Sequence, residues 1–245
     1  MRIIAIIPAR YASSRFPGKP LADIQGMTMI QRVYEQVQKS KKIDQVIVAT
    51  DDARIFDKVA SFGGKAVMTA DTHPSGTDRC FEALDKTAGH FDAVLNIQGD
   101  EPFIDPLQID QLAELIQSPE VDVATLITPI IDTATLFDPN VVKVVSSITG
   151  RALYFSRQAI PYLRNSKADE WPEAHRFYRH LGIYAFKSDI LKAVTAIAPS
   201  KLEMAESLEQ LRWLENGYYI QTGVTQHEGI SVDTPEDLKK LINKI

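Results

Sequence analysis

Short apolar runs alternate with helix-patterned segments along the first half of this chain. The first run, at residues 2–8 (RIIAIIP), ends in a proline and is typical of a strand buried on both faces. Helical spacing follows at Ile30, Val33 and Val37, and the next apolar run is QVIVAT at residues 45–50. This alternation predicts βαβ units, a parallel sheet, and ligand sites at the carboxyl ends of the strands.

The alternation stops near Pro129. The segments VVKVVSS and ALYFSR flank Thr149 and Gly150, which predicts a hairpin, and HLGIYAF predicts a further strand. We therefore predict one domain in three parts: a nucleotide-binding part, an inserted antiparallel region and a C-terminal return, at about residues 1–128, 129–190 and 191–245. Because an inserted sheet with free edges needs to be covered, the inserted region is a candidate dimer surface.

The C-terminal part carries signals for helix boundaries. Ser200 and Glu203 form a capping box, and Gly217 marks the end of that helical segment. Pro235 opens the last helix, with Thr234 as its N-cap. These signals predict one helical segment between Ser200 and Gly217 and a separate helix that begins at Pro235.

Composition excludes several classes of protein. The 245-residue chain has a formal net charge of −5, which argues against a surface dominated by nucleic-acid binding. Its single cysteine, Cys80, cannot form an intramolecular disulfide. No segment approaches the roughly 20 apolar residues of a membrane span, and the N-terminal apolar run is too short for a signal peptide. We therefore expect a cytoplasmic protein with neither a membrane nor a nucleic-acid partner.

A basic loop follows the first predicted strand. Residues 10–19 (RYASSRFPGK) contain three cations, two serine hydroxyls and a glycine: Arg10, Arg15, Lys19, Ser13, Ser14 and Gly18. A bound triphosphate needs fixed positive charge, hydrogen-bond donors and a backbone that can approach its oxygens. Neither the P-loop pattern nor G-x-G-x-x-G is present. Basic surface loops also arise by chance, but the position at the end of a strand favours a nucleotide site.

A second polar segment, HPSGTDR, leads into a predicted helix. Thr77 is the expected cap of this helix, and Ser75 and Gly76 would let backbone N–H groups face a ligand. A simple capped helix start explains the same residues, and the local pattern favours that simpler interpretation. Arg79 is expected to point back toward the loop from the first turn.

Two aspartates are candidates for a metal site. Asp100 follows the apolar strand DAVLNIQ, and Asp233 lies just before the cap of the last helix. Together they could hold Mg²⁺, a cation that prefers oxygen ligands and often bridges protein carboxylates and substrate phosphates. Asp100 could equally cap the helix that follows it.

Six further polar residues could bind a polyhydroxylated acid. Three of them are expected to share one helix face: Glu206, Glu209 and Gln210. Three others lie on or beside the inserted strands: Arg157, His180 and Tyr184. His180 and Tyr184 are four apart on a strand and are expected to share a face, and Arg157 could bind a carboxylate. Each residue alone also fits an ordinary structural role.

Taken together, these segments resemble the 3-deoxy-manno-octulosonate (Kdo) cytidylyltransferases. The matching pieces are IIPARYASSRFPGKPL, VATDD, HPSGTDR, NIQGDEPFI, FSRQAIPY, RHLGIYAF, LEQLRWLENG and SVDTPEDL, which run from residue 3 to the last helix. The resemblance implies an α/β fold with a nucleotidylyltransferase-type doubly wound mixed sheet and an inserted antiparallel region. It also implies a homodimer that transfers CMP from CTP to the anomeric hydroxyl of Kdo, for bacterial lipopolysaccharide or capsule biosynthesis.

The resemblance also implies roles for single residues. The nucleotide would contact Ala9, Arg10, Ser13, Arg15, Lys19, Ser75 and Arg79. The sugar would contact Gln98, Arg157, His180, Tyr184, Glu209 and Gln210. Mg²⁺ would bind Asp100 and Asp233, and these two aspartates would act in catalysis together with Arg15 and Lys19.

Several alternatives remain open at this point. Family members often carry an acidic residue soon after FSR-x-x-IPY, where this chain has LRN, so an amino-modified Kdo is an alternative acceptor. A sialic acid cytidylyltransferase shares the arginine-rich first loop, but HPSGTDR together with RHLGIYAF is not expected there. A glycosyltransferase is disfavoured because the Asp-x-Asp metal motif is missing around Asp100. A dehydrogenase is disfavoured because the glycine fingerprint of dinucleotide-binding folds is missing. A non-catalytic nucleotide sensor on the same fold would be expected to lose Lys19 or an aspartate.

Overall fold

Strands and helices alternate through most of the chain. The computed structural model describes residues 1–13, 15–227, 229 and 231–243. Eleven strands lie within these ranges: β1 (Ile3–Ala9), β2 (Asp23–Ile24), β3 (Met27–Thr28), β4 (Gln45–Thr50), β5 (Ala66–Met68), β6 (Ala93–Asn96), β7 (Val123–Ile130), β8 (Lys143–Ser146), β9 (Ala152–Ser156), β10 (Phe177–Lys187) and β11 (Ile220–Val224). Ten α-helices lie there too: α1 (Met29–Gln38), α2 (Ala53–Ser61), α3 (Gly76–Lys86), α4 (Pro106–Leu115), α5 (Thr133–Phe137), α6 (Trp171–Ala174), α7 (Ser188–Thr195), α8 (Lys201–Glu206), α9 (Gln210–Glu215) and α10 (Pro235–Ile242).

Nine of the strands form one central sheet. Its main order is β11-β7-β10-β6-β1-β4-β5, and the β8–β9 hairpin extends from β10. Strand β1 is parallel to β4 and β6, and β11 is parallel to β7, whereas β10 runs antiparallel between β6 and β7. The predicted doubly wound mixed sheet with an antiparallel insertion is confirmed. Among the described helices, none combines the length and the apolar character that crossing a membrane requires.

Strand β1 is buried on both faces, as its apolar run predicts. Ile3, Ala5 and Ile7 belong to the core layer that includes α1, α2 and α4. Ile4 and Ile6 belong to the opposite layer, with α3, α7 and α9. Because successive side chains of a strand point to opposite faces, only a continuous apolar run can fill both layers. The carboxyl end of β1 is thereby fixed at the centre of the sheet, where the basic loop begins.

The inserted antiparallel region contains the predicted hairpin. Strands β8 and β9 pair antiparallel, and the turn between them includes Gly150 at φ +83°, a conformation that glycine adopts without a steric cost. Trp171 anchors a separate small apolar cluster with Ile130, Leu136 and Phe177. The division of the chain into three parts with the stated boundaries stays a prediction.

The helical segment between Ser200 and Gly217 is not one helix, and this prediction was wrong. The capping box at Ser200 is present, and Gly217 (φ +83°) follows the last helical turn, but α8 and α9 are separated at Ser207. Ser207 has left-handed backbone angles (φ 51°), which end α8 and redirect the chain so that Leu208 reaches the core. Glu206 and Glu209 therefore do not share one helix face.

Candidate active site

A polar cleft opens at the ends of β1 and β6. Its walls are the loop after β1, the start of α3, the segment after β6, and Asp233. Ten of the predicted site residues line this cleft: Ala9, Arg10, Ser13, Arg15, Lys19, Ser75, Arg79, Gln98, Asp100 and Asp233. Ser14, which was predicted to supply a hydroxyl, lies outside the described residues.

Hydrogen bonds to Tyr11 hold the loop after β1 in position. The backbone N–H groups of Ser13 and Gly18 donate to the Tyr11 carbonyl oxygen at 3.0 and 2.9 Å. The Arg54 guanidinium carbon lies 3.3 Å from the centroid of the Tyr11 ring. Two guanidinium nitrogens of Arg54 in turn donate to the Asp52 carboxylate. Gly18 has φ +73°, and a Cβ there would lie 3.1 Å from the ring. Tyr11 and Arg54 are positioning residues that the sequence analysis missed, although the VATDD motif that includes Asp52 was noted.

Two aspartates from distant segments converge on one cation. The Lys19 ammonium lies 2.7 Å from Asp100 Oδ2 and 3.4 Å from Asp233 Oδ1, and Arg15 Nη2 lies 3.4 Å from the same Asp233 oxygen. The backbone N–H of Val232 donates to the Asp100 carbonyl oxygen at 3.0 Å, which ties the two segments together. The carboxylates therefore form a small cation-binding pair.

This carboxylate pair fits Mg²⁺. No group of three or more His, Cys, Asp or Glu side chains with metal-ligand geometry is found among the described residues. Mg²⁺ is commonly held by one or two carboxylates together with water and substrate phosphate oxygens, so a two-carboxylate set suits this ion better than a metal that needs a closed protein cage. The ammonium of Lys19 already lies between the two carboxylates, in the position that a bound metal ion would take.

The capping roles near the aspartates are now assigned. Asp105, not Asp100, is the N-cap of α4, so the alternative in which Asp100 caps that helix is wrong. The cap requires the residue directly before Pro106, and Asp100 lies five positions too early. Thr234 caps α10 and Asp237 completes the box, as predicted, which leaves the Asp233 carboxylate outside the helix.

Ser75 caps α3, and the predicted cap at Thr77 was wrong. The helix begins at Gly76, so the capping position is Ser75, whose Oγ accepts from the Asp78 N–H at 3.2 Å. Thr77 lies inside the first turn and is buried. Its hydroxyl donates to Glu209 at 2.8 Å, and the Ser75 hydroxyl lies 3.0 Å from the other Glu209 oxygen. The start of α3 is thereby joined to the start of α9.

Arg79 is held rigidly in the wall of the cleft. The residue is 4% exposed. Its Nη1 donates to Thr69 Oγ1 at 2.6 Å, and its Nη2 lies 3.3 Å from Asp51 Oδ2. Asp51 of the VATDD motif directly follows β4, and its contact with Arg79 was not foreseen from the sequence. The Arg79 guanidinium is therefore a fixed positive charge in this wall of the cleft.

Most of the predicted sugar-binding residues lie beside the cleft rather than in its lining. Gln98 does line it, and its Nε2 donates to the Gly182 carbonyl oxygen of β10 at 2.7 Å. The rings of His180 and Tyr184 lie 5.2 Å apart, although β10 bulges between Leu181 and Tyr184. Six predicted residues do not line the cleft: Arg157, His180, Tyr184, Glu206, Glu209 and Gln210.

Desolvation controls the charge of these groups. It lowers the pKa of His180 to about 3, so this imidazole is neutral near pH 7, and its Nε2 lies 2.9 Å from Thr125 Oγ1. It raises the pKa of Tyr184 well above its usual value. It also raises the pKa of Glu209, against the opposing effects of the Thr77 hydroxyl and Arg212. Neutral rings next to one half-buried carboxylate suit the binding of hydroxyl groups.

Arg157 is engaged elsewhere in this structure. Its three guanidinium nitrogens donate to backbone carbonyl oxygens of Glu206 (2.6 Å), Pro139 (3.0 Å) and Ser207 (3.3 Å). The Glu206 carboxylate accepts from the Arg157 backbone N–H at 2.9 Å and from Ser156 Oγ at 2.7 Å. Because a guanidinium carries five N–H groups and three are used here, two are left for the predicted contact of Arg157 with a substrate carboxylate.

Comparison with known proteins identifies the family. The family model described as cytidylyltransferase matches residues 4–227. A 3-deoxy-manno-octulosonate cytidylyltransferase of Cytophaga hutchinsonii is 57% identical over 240 residues, which cover 98% of this chain and 96% of the relative. This chain belongs to the 3-deoxy-manno-octulosonate cytidylyltransferase family. The resemblance seen in the sequence is therefore confirmed.

Other members of the Kdo cytidylyltransferase family agree. The protein of that name from Geobacter sulfurreducens is 46% identical over 251 residues, with 100% of both chains covered. A solved CMP:2-keto-3-deoxy-manno-octonic acid synthetase complexed with CTP has a TM-score of 0.92 and 43% identity, and the match covers 100% of this chain and 98% of that one. This member of the family is thus a nucleotidyltransferase, which excludes the dehydrogenase and glycosyltransferase alternatives.

Proposed function

We propose that this chain transfers CMP from CTP to the anomeric hydroxyl of Kdo and releases pyrophosphate, with Mg²⁺ held by Asp100 and Asp233. The observation that carries the proposal is the convergence of Lys19 with these two aspartates in a cleft at the carboxyl ends of the parallel strands. Ligands of doubly wound sheets bind at this edge. The family relatives bear the name of this activity.

The basic loop supplies charge for the triphosphate. Arg10, Arg15 and Lys19 line one side of the cleft, and Arg79 is fixed on another. In an in-line displacement at the α-phosphorus, the sugar hydroxyl attacks as the bond to pyrophosphate breaks. The protein then contributes mainly positioning and stabilisation of developing negative charge. Arg15 and Lys19 are the side chains we assign to the departing pyrophosphate, because both already lie at the carboxylate pair.

The carboxylate pair is assigned to the metal. When bound, Mg²⁺ would neutralise phosphate oxygens and lower the pKa of a coordinated acceptor hydroxyl. No side chain of the described cleft is assigned as a dedicated general base. An Asp100→Asn variant that keeps a near-normal kcat with Mg²⁺ would contradict this assignment.

The acceptor is assigned to the side of the cleft that faces β10. Gln98 links the cleft to β10, and His180 and Tyr184 follow along that strand. Glu209 connects the same side to Ser75 at the nucleotide end. We place the hydroxyl groups of Kdo against Gln98, His180, Tyr184, Glu209 and Gln210, and its carboxylate against Arg157.

Two broader features belong to the proposal. We propose a homodimer formed through the inserted region, where Ile131, Leu153 and Tyr162 are 84%, 57% and 76% exposed. We also propose that the enzyme works in the cytoplasm and supplies CMP-Kdo for lipopolysaccharide or capsule. The second statement rests on the identity of the product.

Pyrophosphate release from CTP tests the proposed reaction. Purified protein with Mg²⁺ is incubated with Kdo, with 8-amino-Kdo, with sialic acid, or without any sugar. We expect release with Kdo, none with sialic acid or without sugar, and complete loss with EDTA. Faster turnover with 8-amino-Kdo would move the acceptor assignment to the amino-modified sugar. No release with any acid, together with thermal stabilisation by CTP, would make the protein a nucleotide binder and overturn the proposal.

A further inference from the structure

Asn96 ends β6 with a buried amide oxygen that has no hydrogen-bond donor. The residue is 3% exposed, and none of the residues that the structure describes donates to its Oδ1. Val94, two positions earlier on the same strand, belongs to the core layer that includes α3, so Asn96 faces α3 as well. A buried amide oxygen without a donor destabilises the folded chain, whereas an apolar side chain of the same shape would not.

Asn96 does not itself line the cleft, but Gly76, which does, separates its amide from the cleft without a side chain. A Cβ added to Gly76 would lie 3.3 Å from Pro8 Cγ and 3.9 Å from Asn96 Nδ2. Pro8 and Gly76 both line the cleft. Any side chain at position 76 would therefore separate the cleft from the amide. Gly76, the first residue of α3, has no side chain and leaves this path open.

The residues paired with Asn96 on the neighbouring strands indicate which of the two substrates lies near its amide. On the β1 side, Asn96 is paired with Ile6, which offers no polar group. On the β10 side it is paired with Tyr184, whose ring contacts His180. The polar groups on this face thus continue from Asn96 toward β10, the side assigned to the acceptor, and not toward the basic loop that follows β1.

We propose that the Asn96 amide hydrogen-bonds a hydroxyl group of the acceptor sugar and helps to select it. The inference rests on the proposed function, since it places a polyhydroxylated acid beside β10. The amide atom nearest to Gly76 is Nδ2, so a hydroxyl that donates to Oδ1 satisfies the buried oxygen once the amide has turned by about 180° about its Cβ–Cγ bond. An acceptor without that hydroxyl leaves the oxygen unpaired, and sites built in this way discriminate strongly against such analogues.

Two substitutions test the assignment. Asn96→Leu keeps the shape of the side chain and removes both polar atoms, and Asn96→Ala removes the amide with less risk of overpacking. We measure KM for Kdo, KM for CTP and kcat by pyrophosphate release, and Tm without substrates. We expect KM for Kdo to rise by about tenfold or more and KM for CTP to stay within about twofold. The Tm of the free Asn96→Leu protein should equal or exceed that of the wild type, because an unpaired polar group has been removed.

Gln108 supplies the matched control. Its amide is equally buried (1% exposed), but it donates to the His227 carbonyl oxygen at 3.0 Å, and Gln108 lies on α4, which packs on the opposite face of the sheet from α3. Gln108→Leu should lower Tm and leave KM for Kdo unchanged, the opposite pattern. The inference is overturned if both Asn96 variants keep the wild-type KM for Kdo, or if KM for CTP rises instead. A wild type that releases no pyrophosphate with Kdo overturns the proposed function itself, and this shows before any variant is compared.

Discussion

Lys19 shares its ammonium group unequally between two carboxylates. The distance to Asp100 is 2.7 Å and the distance to Asp233 is 3.4 Å. The Asp100 side chain is also less exposed, at 22% against 45% for Asp233, so water screens its charge less. Asp100 is therefore the stronger partner of Lys19. A divalent cation that binds this pair has to compete with the ammonium.

Removal of the ammonium should strengthen metal binding and weaken catalysis. In Lys19→Met the two carboxylates keep their charges and lose their shared counter-ion, so we expect the free protein to bind Mn²⁺ about three- to tenfold more tightly. The kcat should fall by about 100-fold or more, because the departing pyrophosphate loses a fixed cation. Mn²⁺ affinity is measured by electron paramagnetic resonance, without nucleotide.

Lys86→Met is the control for this measurement. Lys86 pairs with Glu82 at 2.6 Å and not with either aspartate, so its loss should leave Mn²⁺ affinity unchanged. If Lys19→Met binds Mn²⁺ no better than the wild type, Lys19 does not compete for the carboxylate pair.

His180 makes stability depend on pH. Desolvation lowers the pKa of His180 from its usual 6.5 to about 3, so the folded state favours the neutral ring. The unfolded chain takes up a proton near pH 6.5, whereas the folded chain does so only near pH 3. The stabilising contribution is complete above pH 6.5 and is lost progressively as the pH falls toward 3.

A neutral substitution should remove this dependence. His180→Gln cannot be protonated, so between pH 7 and pH 5 the wild type should lose about 2 kcal/mol more free energy of unfolding than the variant. Urea unfolding at the two pH values measures the difference. Equal losses in both proteins would show that His180 is not protected from protonation by the fold.

At the scale of an element, the loop after β1 depends on α2 for its position. Tyr11 binds the loop backbone and is covered by Arg54, the second residue of α2, which Asp52 holds in place. The cations that we assign to the phosphates are thus positioned through the Tyr11–Arg54 contact, which lies outside the cleft lining. A loop positioned in this way should lose affinity for the nucleotide, and not its chemistry, when the contact is removed.

Arg54→Met tests the support of this loop. The contact positions the loop and does not touch the reacting atoms, so we expect KM for CTP to rise by about two- to tenfold while kcat changes less. Arg2→Met is the matched control, because Arg2 stacks on Phe91 at 4.8 Å at the opposite end of β1. A rise in KM with both variants, or with neither, would contradict a specific role of Arg54.

Some elements follow from local patterns in the sequence and others do not. The apolar run of β1, the capping boxes at Ser200 and Thr234, and the hairpin at Gly150 need only neighbouring residues, and each was predicted. The break at Ser207 was missed, because it serves to bring Leu208 into a core that the local sequence does not reveal.

Contacts between distant segments were harder to foresee. The pairing of Asp100 with Asp233 was predicted because both follow strands or precede helices at the same edge of the sheet. The contact of Asp51 with Arg79 depends on the relative placement of β4 and α3, which no local pattern encodes. The free amide of Asn96 could be recognised only once its surroundings were known.

At the scale of the whole molecule, the inserted region leaves apolar side chains in contact with solvent. Phe137 and Tyr162 both contact Trp171, with ring centroids 5.5 and 5.2 Å apart, yet they are 43% and 76% exposed. Ile131, next to Ile130 of the same cluster, is 84% exposed. Apolar groups gathered around one buried tryptophan form a patch that a second copy of the chain could cover.

Charged substitutions in this patch should separate the proposed dimer. Light scattering is expected to give twice the 27.4 kDa of one chain for the wild type, and 27.4 kDa for Tyr162→Asp combined with Ile131→Asp. In a two-fold dimer the same patch of each chain forms the interface, so two added aspartates per chain bring four negative charges into the contact, and these repel one another. Leu107→Asp is the control, since Leu107 is 60% exposed on α4, away from the patch, and should leave the mass unchanged. A monomeric wild type would refute the dimer, and a double variant that stays dimeric would move its interface away from Trp171.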